Sequence, residues 1–141
     1  MTLRMPAQLL DQVRREGEQA YPSECCGAIA GPVDGEKRAV RLYPVANRRT
    51  DDPHRYLIEA EQLRSVERDA RANNWEILGF YHSHPDHPAT PSEFDSSHAW
   101  PWYSYLIVAV ANGRAESAAS WVLDPDRPRM LRETLDVESE V

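Results

Sequence analysis

The segment that most limits the fold is "WEILGFYHSHPDHPATPSEFD", running from Trp75 to Asp95. Its first half is apolar on both alternating faces through Phe80 and Tyr81, which suits a central strand covered on both sides better than an edge strand. That strand then runs into two histidines, His82 and His84, and a stretch punctuated by prolines. While the chain stays extended, residues two apart project from the same face, so both imidazoles can reach one metal.

The rest of the chain supplies partners for such a strand. Leu9, Leu10 and Val13 recur at helical spacing with charges opposite, predicting an amphipathic helix from about Ala7 to Ala20 that stops near Pro22. "CCGAIAG" reads as a short buried strand, followed by a turn at Gly31-Pro32 and Asp34-Gly35 and a hairpin partner in "RAVRLYPVAN". "RYLIE" is a further short extended segment. A second helix follows in "EAEQLRSVERDARANN", with Leu63, Val66 and Ala70 on one face and an end at Asn73-Asn74. "SYLIVAVA" is a second buried strand, paired with "AESAASWVLD" across the Asn-Gly turn signal. "DPDRPRMLRETL" predicts one edge strand, and the acidic end from 135 to 141 is expected to fray.

At 141 residues with 41% hydrophobic content, one domain spanning 1–141 is expected, with no repeat or internal boundary. Charges interrupt the N-terminal segment and no apolar run reaches membrane-spanning length, so a soluble, cytoplasmic protein without membrane association is expected. Cys25 and Cys26 are adjacent and poorly placed to bridge each other. The net charge of −7 argues against a general basic surface for nucleic acid. The cations are 15 Arg and a single lysine, Lys37, against 23 acids. Such a balance is compatible with genome composition or with a saline cytoplasm in which acidity preserves solubility.

A third metal ligand comes from "TPSEFD". Thr90 and Glu93 match a capping box with Pro91 at the first helical position, which predicts a helix beginning at Thr90. Ser92 and Asp95 are then neighbours on one helix face. Two neutral imidazoles and one carboxylate match a catalytic zinc, which keeps an open position, rather than a structural zinc closed by cysteines. His54, His87 and His98 lack such company and read as surface residues.

The run H-S-H-P, seven residues between His84 and Ser92, then S-x-x-D, resembles the JAMM signature of the MPN-domain (Mov34/Pad1) metallopeptidases. "YPSECCGAIAG" and "VANRRTDDPHRYLIEAEQL" extend the likeness to the small bacterial group typified by the CysO-cysteine peptidase, the Mec-like group. The resemblance implies an α/β (α+β) fold, a mixed central sheet flanked by helices and related in outline to cytidine deaminase. It also implies one catalytic Zn2+ on His82, His84 and Asp95, Glu24 as general base, and Ser92 as oxyanion donor. The residues alone leave other acids open. Glu76 stands six strand residues before His82, roughly 20 Å away, and Glu93 is turned from Ser92 and Asp95 on its helix. Cys26 should share a strand face with Glu24, with Cys25 facing the other way and both thiols packing.

Family resemblance further implies a peptidase or isopeptidase acting after the C-terminal glycines of a ubiquitin-like sulfur-carrier protein, releasing an amino acid such as cysteine or a C-terminal extension. Only "PDHPA" separates the site's strand from its helix, and no insertion of the kind that grips polyubiquitin is evident. Rival readings are a noncatalytic MPN scaffold and a RadC-like DNA-associated domain. The deaminase motif H-x-E with P-C-x-x-C is absent.

Overall fold

A computed structural model describes residues 2–47 and 58–139. Its elements, in chain order, are β1 (Thr2–Pro6), α1 (Ala7–Ala20), β2 (Cys26–Gly31), β3 (Val33–Asp34), β4 (Glu36–Arg38), β5 (Arg41–Val45), α2 (Ala60–Ala72), β6 (Glu76–Pro85), α3 (Glu93–His98), β7 (Ser104–Ala111), β8 (Arg114–Leu123) and β9 (Met130–Glu138). The strands form one mixed sheet in the order β3-β4-β1-β9-β8-β7-β6-β2-β5, flanked by helices as the resemblance implied.

β6 is central, paired antiparallel with β2 and parallel with β7. Its period of two sorts residues between two layers. Tyr81 and Ser83 face α1, whose Leu10, Val13 and Gly17 are buried. A Cβ built on Gly17 would lie 3.0 Å from Val110 and 3.2 Å from Ser83, so this glycine lets the helix approach the sheet closely. Tyr81 is fully buried, and its hydroxyl donates to Glu16 Oε1 at 2.7 Å on α1. His82 and His84 project to the opposite face, where the parallel register sets them beside Ile107 and Ala109 of β7.

The first helix and the β7–β8 hairpin match their sequence expectations. The second helix runs Ala60–Ala72, capped by Glu59, whose side chain and that of Gln62 form a reciprocal capping box. Of the expected "RYLIE" strand, residues 55–57 lie outside the described residues; Ile58 and Glu59 lead into α2.

Four features differ from the sequence expectations. The N-terminal segment contributes β1, which had not been expected; Leu3 and Met5 are its buried positions, and its partners lie far along the chain, at Lys37 and Leu135 for Leu3. The C-terminal strand is internal, between β8 and β1, because β1 covers the edge that β9 would otherwise expose. The end expected to fray from Leu135 stays in β9 through Glu138, held by parallel pairing to β1. The turn after β2 contains a two-strand hairpin, β3–β4, about Gly35 at φ +72°.

Gly27 sits on β2 opposite Tyr81, and a Cβ there would lie 2.3 Å from the phenol ring. The ring cannot retreat, because α1 holds its hydroxyl. Gly27→Ala should therefore destabilise the protein by about 1 to 3 kcal/mol through overpacking. A lowered urea midpoint checks this; an unchanged midpoint would show that Tyr81 has room to move.

Candidate active site

The site forms where β6 leaves the sheet. His82 and His84 are 1% and 6% exposed, and their Nε2 atoms lie 3.1 Å apart. Asp95 Oδ2 is 3.3 Å from His82 Nε2 and 3.0 Å from His84 Nε2. These three ligand atoms all fall within 4.8 Å of one another.

The orientation of His84 is set from behind. Its Nδ1 lies 2.8 Å from the Pro88 carbonyl, which can only accept, so Nδ1 carries a proton and Nε2 is the ring nitrogen turned toward Asp95. Burial pushes the His82 pKa down and favours its neutral form, against the opposing pull of Asp95. For Asp95, burial acts to raise the pKa, but the two imidazoles and the Ser92 N–H outweigh it and hold the carboxyl well below the usual carboxylate range. Two imidazole nitrogens and an ionised carboxylate oxygen thus converge on one point. Such electron-rich convergence in a buried setting fits a cation, and the donor set suits zinc among the common divalent ions.

Asp95 is placed by the cap of α3. Ser92 Oγ accepts from the Asp95 N–H at 3.0 Å, while the Ser92 N–H donates to Asp95 Oδ2 at 2.9 Å. This corrects the expected start at Thr90. Two overlapping patterns compete here, Thr90 with Glu93 and Ser92 with Asp95, and the second wins because it closes both reciprocal bonds and starts the helix at Glu93. As a cap, Ser92 uses a lone pair of its hydroxyl, which leaves the O–H able to donate elsewhere.

Glu24 lies just ahead of β2 and is 4% exposed. Cys26 pairs with His82, and the ladder continues one step further: the Ser83 N–H donates to the Cys25 carbonyl at 3.2 Å and the Cys25 N–H donates to Ser83 Oγ at 2.9 Å. Glu24 precedes the first paired residue of β2 by two positions. Glu76 begins β6 at the far end of the strand, and Glu93 is exposed. His87 and His98 are exposed, as expected, and His54 lies outside the described residues.

Several supporting residues had no clear sequence signal. Ser83, between the two histidines, locks the β2–β6 register. Asp86 takes a left-handed conformation at φ 57°, accepts from the Tyr21 hydroxyl at 2.6 Å and the Asn112 N–H at 2.9 Å, and donates its own N–H to the Val110 carbonyl at 2.7 Å. Trp121 donates from Nε1 to the Ala89 carbonyl at 3.0 Å, and Ala89 is buried with Ile107, Ala109 and Ala119. A left-handed aspartate in "HPDHP" is the one clue a sequence could offer, since Asp tolerates that conformation better than most residues.

Comparison with known proteins accords with this geometry. The Prok-JAB model, for prokaryotic homologs of the JAB domain, matches residues 6–124. A desampylase from Haloferax volcanii is 32% identical over 120 residues, 84% of this chain and 84% of its own length. The solution structure of a Salinibacter ruber protein superimposes with a TM-score of 0.75 at 37% identity, covering 96% of this chain and 91% of that one. A Desulfitobacterium hafniense protein gives a TM-score of 0.86 at 27% identity, covering 99% and 94%. A mixed sheet bearing such a cluster, with relatives of this kind, is that of a hydrolase of the JAMM type. Within that class, the chain belongs to the family of prokaryotic homologs of the JAB domain.

The cysteines stand outside the ligand set. Both are free thiols. Cys25 packs against the core on the α1 side, and Cys26 Sγ lies 3.5 Å from the Val45 carbonyl. Burial pushes their pKa values up, to about 11 for Cys25 and about 12 for Cys26. Because the thiolate is the reactive form, alkylation of the folded protein should stay negligible at pH 8 and accelerate only as pH approaches those values, whereas the unfolded chain should label readily near a pKa of about 8.5. Iodoacetamide labelling against pH, with and without denaturant, checks this; rapid native labelling at pH 8 would contradict it.

Proposed function

We propose that this chain is a zinc-dependent isopeptidase that cleaves after the C-terminal glycines of a ubiquitin-like protein, with Glu24 as general base and Ser92 as oxyanion donor. The reading is supported chiefly by the convergence of His82, His84 and Asp95, together with a buried Glu24 two residues ahead of Cys26, the β2 residue that pairs with His82. A zinc ion held by those three residues supplies Lewis acidity, toward water near neutral pH and toward the scissile carbonyl.

The chain's own groups divide the remaining work. Glu24 takes a proton from the attacking water and returns it to the leaving amine, a role that requires a carboxylate within hydrogen-bond reach of both. The Ser92 hydroxyl donates to the oxygen on which negative charge develops, and its position is fixed in advance by the bond that Oγ accepts from Asp95. Asp86, Pro88 and Ala89 are each tied to neighbouring elements, so the segment between β6 and α3 is held in place. A glycine tail suits such a site because it can lie extended without side chains that obstruct the approach.

The kinship with a desampylase supports a ubiquitin-like protein as the substrate class. Within that class we favour a diglycine-ending sulfur carrier, with cysteine or a C-terminal extension as the released group, on the strength of the "YPSECCG" and "RYLIEAEQL" blocks shared with the Mec-like group. A cytoplasmic setting belongs to the same reading; among the described residues, no helix is long and apolar enough to cross a membrane.

The test uses two substrates, a diglycine carrier bearing a C-terminal cysteine and the same carrier joined to a lysine side chain, followed by mass spectrometry. Zinc-loaded wild type should release one or both, and chelated protein neither. Glu24→Gln should retain zinc while losing about 100-fold or more in turnover, in the range of general acid–base contributions. His84→Ala should lose both zinc and turnover. A fully active Glu24→Gln protein would remove Glu24 as the base, and release from the lysine-linked substrate alone would move the assignment from sulfur carrier to conjugated modifier.

A further inference from the structure

Lys37 is the chain's single lysine, and it is 1% exposed on β4, away from the metal-ligand cluster in the strand order. Its ammonium donates to the Trp102 carbonyl and to Ser104 Oγ at 2.9 Å, and Glu133 Oε2 lies 3.5 Å away. The same ammonium sits 4.5 Å from the centroid of the Trp102 ring. Glu133, also buried, accepts from Ser120 Oγ at 2.8 Å.

Charge compensation explains only part of this arrangement. A buried carboxylate needs a cation, and Lys37 supplies one to Glu133. The closer contacts, however, go to Trp102 and Ser104, where the link from α3 enters β7. Trp102 adopts φ 78°, a left-handed conformation that a bulky residue holds only when its surroundings impose it. Lys37 imposes it from two sides, through the carbonyl and the ring face. Two residues earlier, the Trp100 N–H donates to the Tyr105 hydroxyl at 2.8 Å, and Pro101 stiffens the chain between.

This matters because α3 carries Asp95 yet buries none of its residues. A six-residue helix without a buried face is positioned chiefly by its ends. The N-terminal end is held by the Ser92 cap, and the C-terminal end, at Ala99, leads directly into the link anchored at Trp100 and Trp102. We propose that Lys37 is a positioning residue for Asp95: by fixing Trp102 it fixes the C-terminal end of α3 and thereby the third ligand of the metal site. This proposal rests on the zinc reading above.

The test compares wild type, Lys37→Met and the double variant Lys37→Met/Glu133→Gln, with Lys37→Arg as a second route should Lys37→Met fail to fold. Melting temperature, zinc affinity by chelator competition, and the amide resonances of Asp95 and Trp102 in metal-free protein are measured. Lys37→Met should lower the melting temperature, and the double variant should recover part of it by removing the uncompensated carboxylate. Both variants should still bind zinc about 10-fold more weakly and show displaced Asp95 and Trp102 amides, because the Trp102 carbonyl has lost its donor. Lys37→Arg keeps a charge beside Glu133 but cannot seat one compact ammonium against Trp102 and Ser104, so it should show the same displacement. If the double variant regains wild-type zinc affinity and amide positions, Lys37 only neutralises Glu133 and the proposal is overturned. Should wild type itself bind no zinc, the reading of the metal site fails, and the metal-free amide positions still decide whether Lys37 sets the place of Asp95.

Discussion

The site depends on the register of β2 against β6. A slip of one residue would turn every side chain of β6 to the opposite layer, sending the histidines into the α1 core and Tyr81 and Ser83 to the ligand face. Ser83 guards against this by exchanging two hydrogen bonds with the Cys25 backbone, one through its own N–H and one through its hydroxyl. Tyr81 reinforces the choice, since its hydroxyl finds Glu16 only on the α1 side. The same two bonds tie Cys25, the residue after Glu24, to β6.

Around that register, backbone groups help orient the ligands. The Pro88 carbonyl fixes the His84 tautomer, and the Ser92 N–H helps keep Asp95 ionised. Both partners lie in the short stretch between β6 and α3, which is itself tied down by Asp86 and by Trp121. These two backbone groups orient His84 and Asp95 without adding a charge to the centre. Lys37 extends the same logic from the far side of the sheet, with a charged group that touches no ligand and acts through a carbonyl.

Local patterns were legible wherever the chemistry was local. The period of Leu9, Leu10 and Val13 marked α1, the Asn112-Gly113 turn marked the β7–β8 hairpin, and the buried strand ending in His82 and His84 was visible from alternation alone. The H-x-H run and the helix start carrying Ser92 and Asp95 marked the residues that the fold brings together as His82, His84 and Asp95. The cap of α3 was misplaced because two overlapping patterns satisfy the same rule, and only the reciprocal Ser92–Asp95 bonds separate them. β1 and the interior position of β9 were missed for a different reason: Leu3 pairs with Lys37 and Leu135, partners far along the chain that the short alternation of Leu3 and Met5 does not reveal.

By itself, then, the sequence determined the candidate ligands: His82 and His84 share a face because strand side chains alternate, and Ser92 and Asp95 are neighbours because they stand three apart at a helix start. Tertiary structure decided how those ligands are supported. It paired Cys26, two residues after Glu24, with His82, paired β1 with β9, and seated Lys37 against Trp102. The division follows from physics, since periodicity and capping act within a few residues, whereas register, burial and charge compensation exist only between segments that the folded sheet brings together.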